Sequence, residues 1–212
     1  MSDMPTLAQQ QQRVEALRLE RGATHPDTLA GMLDLAEMLW ARGRLDEVRA
    51  LEEEVLAARR AALGEAHGDT LKALGKLATT IGALGDLDEA RRLQEHIVEH
   101  GPAAWGERGR DTLRAANNLA GTIAAQGDLA GARRVLEATI DTMHEALGAA
   151  DHDTLTAIAN LAAMLWQYGE RSEAYWLQQQ VVESRRQAFG EEDAGTRAAI
   201  AVLEAMHRDG MP

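Results

Sequence analysis

Apolar residues recur along this chain at helical spacing, and the whole pattern returns every 42 residues. Counting from the aspartate of an Asp-Thr-Leu block (Asp27, Asp69, Asp111, Asp153), leucine or isoleucine stands at plus 8 (Leu35, Leu77, Leu119, Leu161) and plus 12 (Leu39, Ile81, Ile123, Leu165). Alanine stands at plus 9 (Ala36, Ala78, Ala120, Ala162). A stripe one helical turn apart predicts an amphipathic α-helix, and the alanine lets a second helix approach closely. The aspartate, with threonine behind it, is the expected N-cap, and glycine at plus 16 (Gly43, Gly85, Gly127, Gly169) is the expected stop. A second helix follows after a short turn, with Val48, Ala90, Ala132 and Ala174 facing back and a stripe through Leu51, Leu93, Val135 and Leu177. It closes at Leu63-Gly64, Trp105-Gly106, Leu147-Gly148 and Phe189-Gly190, a span of roughly 19 residues or about 28 Å.

Each unit is therefore a helical hairpin. A fixed period in this range predicts an all-α solenoid, in which each hairpin buries its apolar face only against its neighbours. The expected layout is a single repeat domain over 1–212, with four repeats at 27–68, 69–110, 111–152 and 153–194. Leu7, Val14, Leu17 and Gly22 match a lone second helix, giving an N-terminal cap over 6–22. A C-terminal cap over 196–209 starts at Thr196; Arg197, Glu204 and His207 replace apolar residues or alanine there, as expected where no further helix follows and the array is complete.

Composition narrows the function classes. Cysteine is absent, which rules out disulfides and thiolate metal sites. Residues Met1 to Gln12 lack the layout of a signal peptide and no apolar run has spanning length, so a cytoplasmic location and no membrane association are expected. A net charge of −12 repels nucleic acid and anionic lipid. Of 22 basic residues only Lys72 and Lys76 are lysine, and the arginine, alanine and glycine content points to a GC-rich bacterial genome.

His25-Pro26-Asp27-Thr28-Leu29, the blocks Asn118-Leu119-Ala120 and Asn160-Leu161-Ala162, and Gly-x-x-x-Glu-Ala over Gly85 to Ala90 together resemble the kinesin light chain type of tetratricopeptide repeat. The resemblance runs over roughly residues 6 to 209 and is that of a prokaryotic relative with the repeat module only, since no heptad coiled coil is present. It implies a right-handed superhelix whose first helices line a concave groove that binds extended peptide segments. The family's groove asparagine maps onto Asn118 and Asn160; Asp34 and Lys76 hold that slot in the first two repeats.

On that geometry, offsets plus 3, 6, 7, 10, 13 and 14 of the first helices face inward. The candidate peptide-binding residues are Asp34, Glu37, Trp40, Lys72, Lys76, Arg114, Asn117, Asn118, Asn160, Trp166 and Gln167. Lys72, Lys76 and Arg114 beside the asparagine amides suit a carboxylate or an acidic peptide, with a C-terminal carboxylate among the candidates. Trp40 and Trp166 share offset plus 13 and read as aromatic anchors. The competing reading makes the charges a solvated face and the tryptophans gap-fillers between helices.

Enzymatic motifs are missing: no cysteine, no Gly-x-Ser-x-Gly elbow and no phosphate loop, so no catalytic residue and no cofactor is expected. His96 and His100 lie one turn apart, with His144 on the corresponding helix of the next repeat; they are read as surface histidines and not as a metal site. His25 and His67 are read as turn residues of the capping block. The expected function is a non-enzymatic, peptide-binding adaptor. The alternatives are a module that dimerises through Trp176 or Met206, and an enzyme or small-ligand binder using the groove.

Overall fold

The computed structural model describes residues 5–210, and among them every regular element is an α-helix. In chain order these are α1 (Leu7–Arg21), α2 (Pro26–Trp40), α3 (Leu45–Leu63), α4 (Gly68–Ala83), α5 (Leu87–Trp105), α6 (Arg110–Ala125), α7 (Leu129–Leu147), α8 (His152–Gln167), α9 (Arg171–Phe189) and α10 (Ala194–Arg208). The second helices α3, α5, α7 and α9 each run 19 residues, as the sequence predicts. None of the helices is long and apolar enough to cross a membrane, among the described residues.

Two compact units divide the chain, Met1–Ala104 and Trp105–Pro212. In the first, α1 packs on α2, α2 on α3 and α3 on α4; in the second, α6 packs on α7, α7 on α8, α8 on α9 and α9 on α10. The predicted stripe is the core of each: Leu35, Ala36, Leu39, Leu77, Ala78 and Ile81 are buried in the first unit, and Leu119, Ala120, Ile123, Leu161, Ala162 and Leu165 in the second. The small residues allow close helix contact. A Cβ added at Gly82 would meet the Ala90 methyl at 3.5 Å, the distance of ordinary packing.

The turns repeat at half the period. Gly22, Gly43, Gly64, Gly85, Gly106, Gly127, Gly148, Gly169 and Gly190, 21 residues apart, all have positive φ. Gly85 shows why: with φ at 99° it lets the Asp86 N–H reach back to the Ile81 carbonyl at 3.2 Å, closing α4 with a Schellman-type bond. A side chain there would meet the left-handed backbone penalty.

One expectation about the helix starts is corrected. The Asp-Thr-Leu aspartate is not the N-cap; the cap lies two residues earlier, at His25, His67, Gly109, Asp151 and Asp193. The Nδ1 atoms of His25 and His67 accept from the Asp27 and Asp69 N–H groups at 3.1 Å, and Asp151 Oδ1 accepts from Asp153 N–H at 2.9 Å. These histidines thus take the place of a capping carboxylate. The following threonine is buried and ties the hairpins together: Thr28 Oγ1 donates to the Gly22 carbonyl at 2.9 Å and Thr112 Oγ1 to that of Gly106 at 2.8 Å.

Candidate peptide-binding face

Along α2, α4, α6 and α8, offsets plus 7 and plus 10 are exposed in all four helices and plus 6 is half-buried in all four. Each first helix therefore keeps one side open, taken unit by unit, and offsets plus 7 and plus 10 of the sequence reading lie on that side. Within the first unit, Asp34, Glu37, Trp40, Lys72 and Lys76 are all exposed. Trp40 keeps 39% of its surface accessible. Beside it an open pocket of about 240 Å³ lies between α2, α3 and α4, lined by Ala36, Glu37, Trp40, Val48, Glu52, Lys76, Thr79 and Thr80.

Two of the charges here are paired with each other. Lys76 Nζ lies 3.0 Å from Glu37 Oε1, across from α4 to α2. Glu52, buried on α3, accepts a 2.6 Å bond from Thr80 Oγ1. Burial raises the Glu52 carboxyl above its ordinary range, against the Thr80 hydrogen bond and the Lys76 charge, which pull it down. Sequence reading placed Thr79 on this side through offset plus 10, but it placed no second-helix residue here and missed Glu52 and Thr80. A signal existed at plus 25, where Gln10, Glu52, Gln94, Leu136 and Gln178 stand in register.

Within the second unit, Arg114, Asn118, Asn160 and Gln167 are exposed and Asn117 and Trp166 are half-buried. Arg114 does not stand free, since Nη2 is 2.8 Å from Asp153 Oδ1. Arg110 also contacts Asp153 and forks onto Asp151 at 2.8 and 2.9 Å. Burial would push the Asp153 carboxyl up, but the hydrogen bonds from Arg114 and Arg110 outweigh it and hold the group below its usual range. The amides interlock too: Asn160 Nδ2 donates to Asn117 Oδ1 at 3.1 Å, and the Asn117 amide reaches Asn118 Oδ1 at 3.5 Å. The Arg171 guanidinium sits 5.2 Å above the Trp166 ring, partly covering it.

Tetratricopeptide repeat models match residues 27–100, 112–153 and 154–194. The chain belongs to the tetratricopeptide repeat family. These repeats mediate protein–protein interactions. Two solved structures of a candidate kinesin light chain from Podosopora anserina with nearly identical TPR-like repeats are similar to this TPR chain at 26% identity. One, a glutamine-to-methionine variant, covers 85% of each chain at a TM-score of 0.69; the other covers 86% of this chain and 87% of its own at 0.67. BtubC (BKLC) from P. vanneervenii shares the TPR fold at a TM-score of 0.74 and 18% identity, over 95% of this chain and 82% of that one. No curated protein matches the chain.

Proposed function

We propose that this TPR chain is a non-enzymatic interaction module that holds an extended peptide segment of a partner against the open side of α2 and α4 in its first unit. The observation that supports it most is the pocket beside Trp40, a half-exposed aromatic next to a cavity of about 240 Å³ on the face where the family resemblance puts the ligand. Apolar anchors set in a polar rim are where binding energy concentrates. Lys76 is already paired with Glu37, and Arg114 with Asp153. A partner's acidic side chain or C-terminal carboxylate would therefore displace an internal carboxylate, and the paired charges set selectivity more than affinity.

The test is selection of peptides on the full chain from a display library, followed by anisotropy titration of the winners. Trp40→Ala and Thr79→Arg should each weaken binding about tenfold or more, with unchanged circular dichroism. Undiminished binding by both variants sinks the assignment. A homodimer is the second reading, and Trp176, 57% exposed on α9, supports it. Met206, its other sequence candidate, is buried at 4% and is withdrawn from that role. Light scattering that gives a concentration-independent monomer mass would remove the dimer.

A further inference from the structure

On α5, within the first unit, His96, Glu99 and His100 stand at i, i+3 and i+4, so the three side chains leave one face of the helix. One donor atom from each, two imidazole nitrogens and a carboxylate oxygen, lie within 4.8 Å of one another. The two rings stack with centroids 4.2 Å apart and an interplanar angle of 28°. His100 Nδ1 lies 2.9 Å from the His96 carbonyl oxygen. A carbonyl only accepts, so Nδ1 carries the proton and Nε2 keeps its lone pair. That backbone contact is what usually orients a metal-ligating histidine and fixes its tautomer.

We propose that His96, Glu99 and His100 bind one divalent ion of the zinc class. Two nitrogens and one oxygen favour zinc, cobalt, nickel or copper over magnesium or calcium, which take oxygen ligands. Ligand atoms on a tetrahedral zinc lie roughly 3.4 Å apart, given bonds of about 2.0–2.1 Å, so the trio must close by up to about 1.4 Å. It has the freedom to do so: Glu99 is exposed and both histidines are only half-buried, while buried Ile97 holds the backbone between them. The remaining coordination falls to water. The site also has a place to act, because Pro102 lacks an N–H and leaves the Val98 carbonyl without its helix donor. An ion clipping residues 96, 99 and 100 together staples the turn that leads into this interruption.

The experiment is calorimetric titration of the full chain with Zn²⁺, with the visible spectrum of the Co²⁺ form as a second readout and a thermal melt as a third. One equivalent should bind and raise the melting temperature. His96→Ala and His100→Ala should each weaken binding at least about tenfold, and Glu99→Gln by less. His144→Ala is the control and should bind as wild type does. Absence of a bound equivalent, or equal affinity in wild type and both α5 histidine variants, overturns the site, as does loss of binding in His144→Ala.

Discussion

The Glu52 carboxylate and the Thr80 hydroxyl meet at 2.6 Å inside the first unit, where the capping helix α1 and the fourth repeat use a glutamine differently. Gln10 Nε2 donates to the Gly31 carbonyl at 2.9 Å and Gln178 Nε2 to the Ala199 carbonyl at 2.8 Å, both buried. Those acceptors hold the same offset in their helices, and the counterpart facing Glu52 is Ala73. An ionised carboxylate has no proton to give that carbonyl.

Glu52→Gln should therefore stabilise the protein by about 1 kcal/mol at neutral pH, since the amide can accept from Thr80 and donate as well. Burial puts the folded-state carboxyl of Glu52 above its unfolded value of 4.5. The wild-type protein then binds the extra proton when folded, so this group's stabilisation is full below 4.5 and is lost as pH rises through the raised value. The gain from Glu52→Gln should accordingly grow with pH across that window. Urea unfolding of both proteins at a series of pH values checks it, and a pH-independent difference would refute the account.

Capping gives a paired prediction. His67→Asp places at the start of α4 the carboxylate that Asp151 and Asp193 already supply to α8 and α10, and should stabilise by about 0.5–1 kcal/mol. The same change at Gly109 should do the opposite, because a Cβ there would stand 2.0 Å from the Trp105 carbonyl oxygen. Relieving that overlap costs about 1–3 kcal/mol. Thermal melts of the two variants should move in opposite directions.

Pro102 is the odd residue of its register, where the equivalent positions hold Arg18, Arg60, His144 and Arg186. Basic side chains there suit the negative end of a helix. Pro102→Arg restores the missing N–H donor and should raise stability by about 2 kcal/mol, read from the denaturant midpoint.

The hairpins and their core were legible because a stripe at plus 8, 9 and 12 answers only to burial, and Leu35, Leu77, Leu119 and Leu161 are buried alike. The helix starts were misjudged by two residues because histidine is not an obvious cap, although Nδ1 of His25 and His67 makes the bond a carboxylate would make. The exposed offsets of the first helices follow from period, but their electrostatics did not. Lys76 and Arg114 look like unclaimed cations until the partners 39 residues away in sequence are seen beside them. Such pairings join offset plus 7 to plus 10, or plus 3 to zero, of successive repeats, and no pattern within a single repeat announces them.

The Asp153 carboxylate carries the last prediction. It is 8% exposed and takes ion pairs from Arg110 and Arg114, so its loss leaves two guanidinium groups without their common acceptor. Asp153→Asn should destabilise by about 2 kcal/mol at neutral pH, in the range of hydrogen bonds to charged groups. Its folded-state carboxyl lies below the unfolded value of 3.8, so the stabilisation is present above that pH and is lost as pH falls through the depressed value. The variant and wild type should thus converge in stability on acidification, as followed by circular dichroism. Arg114→Glu would strike the same pair from the other side, so a binding assay on that variant confounds contact with folding, whereas Lys76 sits on an exposed pair, worth roughly 0–1 kcal/mol, and reports on the ligand more cleanly.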